Sequence, residues 1–230
     1  VSADDQKRIA GAAAAERVND GMTVGLGTGS TAAWFVRALG ARVAQGLKIT
    51  GVPTSEATAQ LARDLGIPLK DLADVRRIDL TVDGADEIGP GLSLIKGGGA
   101  ALLREKLVWE ASNHCLVIAD AAKRVPVLGR FPLPIEVVAF GCKQTADRIA
   151  DVLAEHDIGT VPKLRLKDGA PVKTDGGNLI YDAACGAIEN PSSLAEGLKS
   201  VTGVVDHGLF LDLADEGLVG TDAGVEAIAP

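Results

Sequence analysis

The chain is poor in the side chains from which metal sites, disulfide frameworks and base-stacking surfaces are built. Cysteine occurs three times in 230 residues, at Cys115, Cys142 and Cys185. An odd number at wide spacing excludes a disulfide framework and a C-x-x-C metal pair, and it fits a reducing cytoplasm. The three histidines, His114, His156 and His207, are equally scattered. No H-x-H or H-x-x-x-H pair exists, which argues against a zinc site. Two tryptophans, one tyrosine and four phenylalanines leave little for stacking on bases. Lysine and arginine number 23 against 31 acids, a net charge of -8. A nucleic-acid binder needs a basic face, so no nucleic-acid partner is expected. No apolar run approaches the ~18 residues of a membrane helix. The opening VSADDQKRIA lacks a basic segment ahead of an apolar stretch, so no membrane span or secretory leader is expected.

What is abundant is glycine, 28 residues, about 12% against a usual ~7%. Much of it is clustered, and clustered glycine lets backbone approach a ligand closely. Apolar residues at 47% and charged residues at 23% are the balance of an ordinary globular protein, long enough for one large domain or two modest ones.

Periodicity organises the first half as strands separated by helices. Helix is expected over 3–19, strand over 22–27 and helix from Ser30 or Thr31. Strand (48–55), helix (56–66), strand (76–87), glycines then helix (97–112) and strand (114–124) follow. This alternation predicts an α/β fold, a Rossmann-like parallel sheet with helices on both faces. From 132 the pattern changes to strand, helix, two hairpin strands (161–169 and 172–184), a helix over 191–203 capped by Ser192, and a strand over 204–214. That β-α-β-β-α-β order predicts a smaller α+β domain of the split βαβ, ferredoxin-like type. The expected domains are 1–131 with 207–230, and 132–206. A hairpin around Asp222–Gly224 ends the chain.

Three segments could carry chemistry. Gly25-Leu-Gly-Thr-Gly-Ser-Thr31 follows a strand and opens a helix, where backbone N–H groups and the helix dipole favour a phosphate. A dinucleotide fingerprint competes, but Ser30 stands at its third glycine and no acid follows the next strand. A plain tight turn competes as well. Asp83-Gly84-Ala85-Asp86-Glu87 lies at the carboxyl end of an apolar strand, where α/β sheets bind ligands. Its acids suit acid/base work, acceptance of hydroxyl hydrogen bonds or magnesium, or simply a solvated turn. Lys96-Gly97-Gly98-Gly99 precedes a helix carrying Glu105. If that helix starts near Gly99, Leu102 and Trp109 share the side of Glu105 and Lys106, and apolar neighbours raise a carboxylate's proton affinity towards that of a general base. The alternative is a surface pair with Lys106.

A phosphate cradle, acids, a lysine and a glutamate after successive strands supply the parts for enolising a sugar phosphate. GLGTGST, VDGADE, KGGGAALLREK and IADAAK, in this order, with FPLPIEV, TDGGN and GLF later, resemble type A ribose-5-phosphate isomerase over essentially the whole chain. The resemblance implies interconversion of ribose 5-phosphate and ribulose 5-phosphate through an enediolate, in the non-oxidative pentose phosphate pathway, with no cofactor and no metal. Thr28, Gly29, Ser30 and Thr31 would contact substrate, mainly its phosphate, with Lys7 nearby. Asp83, Gly84, Ala85 and Asp86 would hold hydroxyls, Asp83 assisting ring opening. Lys96, Gly97, Gly98 and Gly99 would flank the reacting carbons, Lys96 stabilising the enediolate. Glu105 would be the general base, and Lys123 a further substrate-binding cation. The family is commonly dimeric and sometimes tetrameric, so the resemblance implies a homodimer or a tetramer, and the scattered cysteines place the chain in the cytoplasm. His207 and Cys142 depart slightly from its pattern. A sugar-phosphate sensor is the rival of another class; it would need a DNA-binding segment, which is not visible, and could dispense with Glu105. A CoA-transferase relative would need a longer chain.

Overall fold

The computed structural model describes residues 1–230. In chain order the elements are α1 (Ala3–Ala15), β1 (Thr23–Leu26), α2 (Ser30–Ala44), β2 (Thr50–Pro53), α3 (Glu56–Asp64), β3 (Leu80–Gly84), β4 (Glu87–Ile88) and β5 (Leu94–Ile95). Then come α4 (Leu102–Glu110), β6 (Cys115–Asp120), β7 (Leu133–Val137), α5 (Cys142–Glu155), β8 (Lys163–Leu164), β9 (Leu166–Lys167) and β10 (Ala170–Pro171). The chain closes with β11 (Leu179–Ala183), α6 (Pro191–Ser200), β12 (Val204–His207), β13 (Leu209–Phe210), β14 (Glu216–Thr221) and β15 (Gly224–Ile228). It divides into two compact units.

The first unit comprises Val1–Ala85, Arg104–Arg124 and Asp212–Pro230. Its sheet has the order β15-β14-β6-β3-β1-β2, parallel except for the β14–β15 hairpin. The hairpin turns where the Asp-Ala-Gly signal places it. The alternation of Val24 and Leu26 about Gly25 puts two large side chains on one face, where α1 and α2 pack with Ala10, Ala14, Phe35, Val36 and Leu39. Each large side chain buried there stabilises the fold by about 1.5–3 kcal/mol. Ser2 starts α1 by a capping box with Asp5. Parallel pairing sets the carboxyl ends of β1, β2, β3 and β6 along one edge, and the order reverses direction at β1, which makes this edge a ligand-binding position.

The second unit comprises Asp86–Leu103 and Val125–Leu211. Its main sheet has the order β12-β7-β11-β8, antiparallel throughout, with α5 and α6 supplying the crossovers of a split βαβ motif. Ile149, Leu153, Leu194 and Leu198 of the helices meet Leu133, Ile135, Val137, Leu179 and Tyr181 of the strands. The alternate positions, Glu136 and Asp182 among them, turn to the other face.

The structure departs from the sequence reading in several places. The expected boundary near 131 falls elsewhere because β4, β5 and β13 form one ladder, which draws Asp86–Leu103 into the second unit. The run 204–214 is two strands in two different sheets, β12 and β13. The run 161–169 holds only the two-residue β8 against β11, while β9 and β10 form their own ladder. Asn190, not Ser192, caps α6, since Pro191 takes the first helical position and the Asn190 side chain accepts from the Ser193 amide. No helix is long and apolar enough to cross a membrane.

Candidate active site

In the first unit the segment after β1 is built for an anion. Gly29 is the N-cap of the 15-residue α2, with φ 103° and no side-chain cap, so the first-turn amides have no capping acceptor. Only glycine adopts that φ without strain. Lys7, from α1, places Nζ 3.1 Å from Ser30 Oγ. Partial positive charge at the helix terminus and a full charge on Lys7 thus flank one exposed serine. Thr31 is buried beside the α-carbon of Gly84. Thr28 is different. Its hydroxyl sits in a cluster with Thr54, Ser55 and Thr58 at 2.7, 2.8 and 3.3 Å, and its amide donates to Asp83 Oδ1 at 3.0 Å. It supports the turn from behind instead of offering a free donor.

Asp83, next to last in β3, is fully buried, its Oδ1 accepting from the amides of Thr28 and Gly84, the latter at 2.7 Å. A Cβ at Gly27 would collide with this carboxylate, so glycine there is a packing requirement. At the same sheet edge β6 runs into a 3-10 turn, Ala121–Lys123, capped by Asp120, that presents Lys123. Gln6 of α1 ties this turn down by accepting from the Ala121 amide at 3.1 Å.

Glu105 lies on α4 and is only 4% exposed. Leu102, Lys106 and Trp109 are buried too, so one helical stripe carries all four. The solvated surface pair is therefore excluded for Glu105. The helix starts at Leu102, later than expected, because Ala100 takes a φ of 58°, outside the helical region. A cleft of about 580 Å³ between α3 and α4 is lined by Ser55, Arg63, Lys70 and Arg104 among others, but by none of the sequence-predicted site residues.

In the second unit, the Gly98 amide donates to Asp86 Oδ2 at 2.7 Å, which joins two of the expected segments. Lys96 is 2% exposed, and its Nζ lies 5.5 Å from the centre of the Phe210 ring. Its backbone is fixed by the Lys96 amide, which donates to the Gly208 carbonyl at 2.9 Å. Glu87 belongs to a different task. Its two carboxylate oxygens accept from the amides of Gly129 (2.8 Å) and Phe131 (2.6 Å). Of the three acids in DGADE, this one holds a loop, and it is not available for a sugar hydroxyl. Sequence spacing gives no sign of that, because the partner loop lies some 40 residues further on.

The three cysteines are free thiols. Burial pushes Cys115 up to about 12, helped by the nearby Asp215 charge, and burial alone pushes Cys185 up to about 11. A thiol reacts as its thiolate. At pH 8 iodoacetamide should therefore leave Cys115 and Cys185 unmodified in the folded protein and label both after denaturation. Peptide mass spectrometry reads this directly, and rapid labelling of native Cys115 would contradict its buried environment.

Comparison with known proteins gives a consistent answer. The family model described as ribose 5-phosphate isomerase A (phosphoriboisomerase A) matches residues 50–224. The chain is 72% identical over 231 residues to ribose-5-phosphate isomerase A of Caulobacter vibrioides (strain NA1000 / CB15N), covering 100% of both chains. It is 53% identical to that of Parvibaculum lavamentivorans, with 99% of each covered. Among solved structures, a D-ribose-5-phosphate isomerase in complex with phospho-erythronic acid superposes with a TM-score of 0.93 at 38% identity, covering 100% of both chains. The ribose 5-phosphate isomerase of Plasmodium falciparum gives a TM-score of 0.93 at 36% identity, with 99% of each covered. Sequence match, full-length coverage and superposition agree, and the chain belongs to the type A ribose-5-phosphate isomerase family.

Proposed function

We infer that this protein is a ribose-5-phosphate isomerase that interconverts D-ribose 5-phosphate and D-ribulose 5-phosphate in the non-oxidative pentose phosphate pathway. The observation that carries the chemical reading is a buried glutamate, Glu105, in a chain that also holds an uncapped helix N-terminus beside Lys7. In the open-chain aldose, Glu105 removes the proton on C2. The electrons form the 1,2-enediolate, the O2 proton passes to O1, and Glu105 returns its proton to C1 to give the ketose. Lys96 stabilises the anionic oxygen, and Gly97, Gly98 and Gly99 flank the reacting carbons. Gly29, Ser30 and Thr31 with Lys7 hold the phosphate, and Thr28 buttresses them. Asp83, Gly84, Ala85 and Asp86 hold hydroxyls, with Asp83 assisting ring opening, and Lys123 adds a cation. The phospho-erythronic acid named with the solved relative supports this reading, since an aldonic acid phosphate offers a phosphate and a planar anionic head, as the enediolate does.

Proton transfer of this kind needs no Lewis acid. Asp83 Oδ1 and both Glu87 oxygens already accept backbone amides. Purified protein should convert ribose 5-phosphate at the same rate with and without EDTA, and faster than other aldose phosphates in a panel. Activity lost to chelation and restored by magnesium or manganese would contradict the mechanism.

The reduced cysteines support a cytoplasmic location. The second unit leaves Phe140 95% exposed, with Val138 and Leu166 also exposed. Large apolar groups left in water support the homodimer expected of the family. Phe140→Glu should shift the sedimentation mass from dimer towards monomer at micromolar concentration. An unchanged dimer would remove Phe140 from the interface.

A further inference from the structure

The glycine turn after Lys96 is gripped by a residue that no motif in the sequence marks. Arg165 lies just beyond β8 in the second unit. Its Nη1 donates to the carbonyl of Gly97 at 2.8 Å and of Gly98 at 3.2 Å. Its other two nitrogens donate to Asp182, Nε to Oδ2 at 2.8 Å and Nη2 to Oδ1 at 2.5 Å. That bidentate fork fixes the guanidinium plane and leaves Nη1 aimed at the turn. Both side chains are largely shielded, 16% and 25% exposed, which strengthens the pair beyond an ordinary surface bridge.

The contacts fall on particular peptide planes. The Gly97 carbonyl and the Gly98 amide belong to one planar unit. Arg165 binds its oxygen and Asp86 binds its N–H, so this plane is held at both ends. The next plane, Gly98–Gly99, is held by Arg165 at its oxygen. In a trans peptide the N–H points away from the carbonyl, so the Gly99 amide faces away from Arg165. It has no acceptor in the protein. A side chain at Gly97 would be strained, and one at Gly98 would displace the Asp86 carboxylate that holds the turn. Gly97 has φ 107°, and a Cβ at Gly98 would lie 2.6 Å from Asp86 Oδ1. Three glycines in a row are otherwise floppy, and the arginine fork supplies the missing rigidity.

We propose that Arg165, oriented by Asp182, is a positioning residue for the isomerisation: by fixing these peptide planes it aims Lys96 and the Gly99 amide at the oxygen that becomes anionic. This rests on the reading that Lys96–Gly99 flank the reacting carbons. A loosened turn would bind substrate through its phosphate as before and lose the alignment needed in the transition state. A misplacement of about 1 Å costs about 100-fold.

The test is steady-state kinetics on the full-length parent, Arg165→Ala, Arg165→Lys and Asp182→Asn, with circular dichroism for folding. Arg165→Ala should lose about 10- to 100-fold in kcat, with KM for ribose 5-phosphate within about threefold of the parent. Added guanidinium ion should restore part of that kcat and leave the parent unaffected. Arg165→Lys and Asp182→Asn should show smaller losses in the same direction, and they decide the matter if Arg165→Ala does not fold. Parental kcat in a folded Arg165→Ala, or in both milder variants, overturns the proposal, as does a rise in KM with kcat unchanged. A parent without isomerase activity would instead bring down the proposed function.

Discussion

Glu105→Gln lowers kcat for ribose 5-phosphate about 10²–10⁴-fold, the usual cost of removing a general base, and leaves KM nearly unchanged. Glutamine keeps the size and hydrogen-bonding reach of the side chain and removes its basicity. The stripe that buries Glu105 with Leu102, Lys106 and Trp109 fixes the carboxylate on a helix, which favours a constant geometry. Removal of a negative charge leaves the phosphate contacts intact, so binding persists while turnover falls. Parallel measurement of kcat and of substrate affinity separates the outcomes. A folded variant with near-parental kcat removes the base assignment and shifts it to Asp83. Joint loss of binding and turnover would mean that Glu105 positions the sugar.

Ser30→Glu raises KM at least about 100-fold. A carboxylate about 4 Å from a phosphate costs about 4 kcal/mol at an effective dielectric constant near 20, before screening by salt. The new acid would also pair with Lys7, whose Nζ lies 3.1 Å from Ser30 Oγ. Ser30 is a cleaner position than Thr31, which is buried against Gly84 and would add a packing defect. Ser30→Ala, which removes only a hydroxyl, should cost far less than the acid. Parental KM in Ser30→Glu would put the phosphate elsewhere on the protein.

Local signals made much of this molecule legible. Alternating apolar strands and helices, each with its own glycine or polar stop, gave the parallel sheet, and the strand–helix–hairpin–helix–strand order gave the split βαβ unit. Parallel pairing then lines up Gly27–Thr31, Asp83 and Lys123 along one sheet edge without further information. The failures share a cause, which is that long-range pairing overrides local pattern. Glu87 reads as one more acid of a cluster until the Gly129–Phe131 loop is seen to occupy both its oxygens. The apolar run 204–214 reads as one strand, yet β12 and β13 have partners in different sheets. Arg165 has no motif at all, because its meaning lies in two carbonyls nearly 70 residues earlier. Only the late start of α4 and the cap of α6 are local: Ala100 sits at φ 58°, an uncommon choice for a residue other than glycine, asparagine or aspartate, and Pro191 takes the first helical position behind Asn190.

The isomerisation moves a proton between C1 and C2 of ribose 5-phosphate through an enediolate. The most direct measurement is conversion of ribose 5-phosphate in D₂O with EDTA, followed by NMR of the sugar carbons. Ribulose 5-phosphate should form, with deuterium appearing at C1 of the ketose and C2 of the aldose. No conversion, or conversion that needs an added divalent ion and retains all of the original hydrogen, would contradict it.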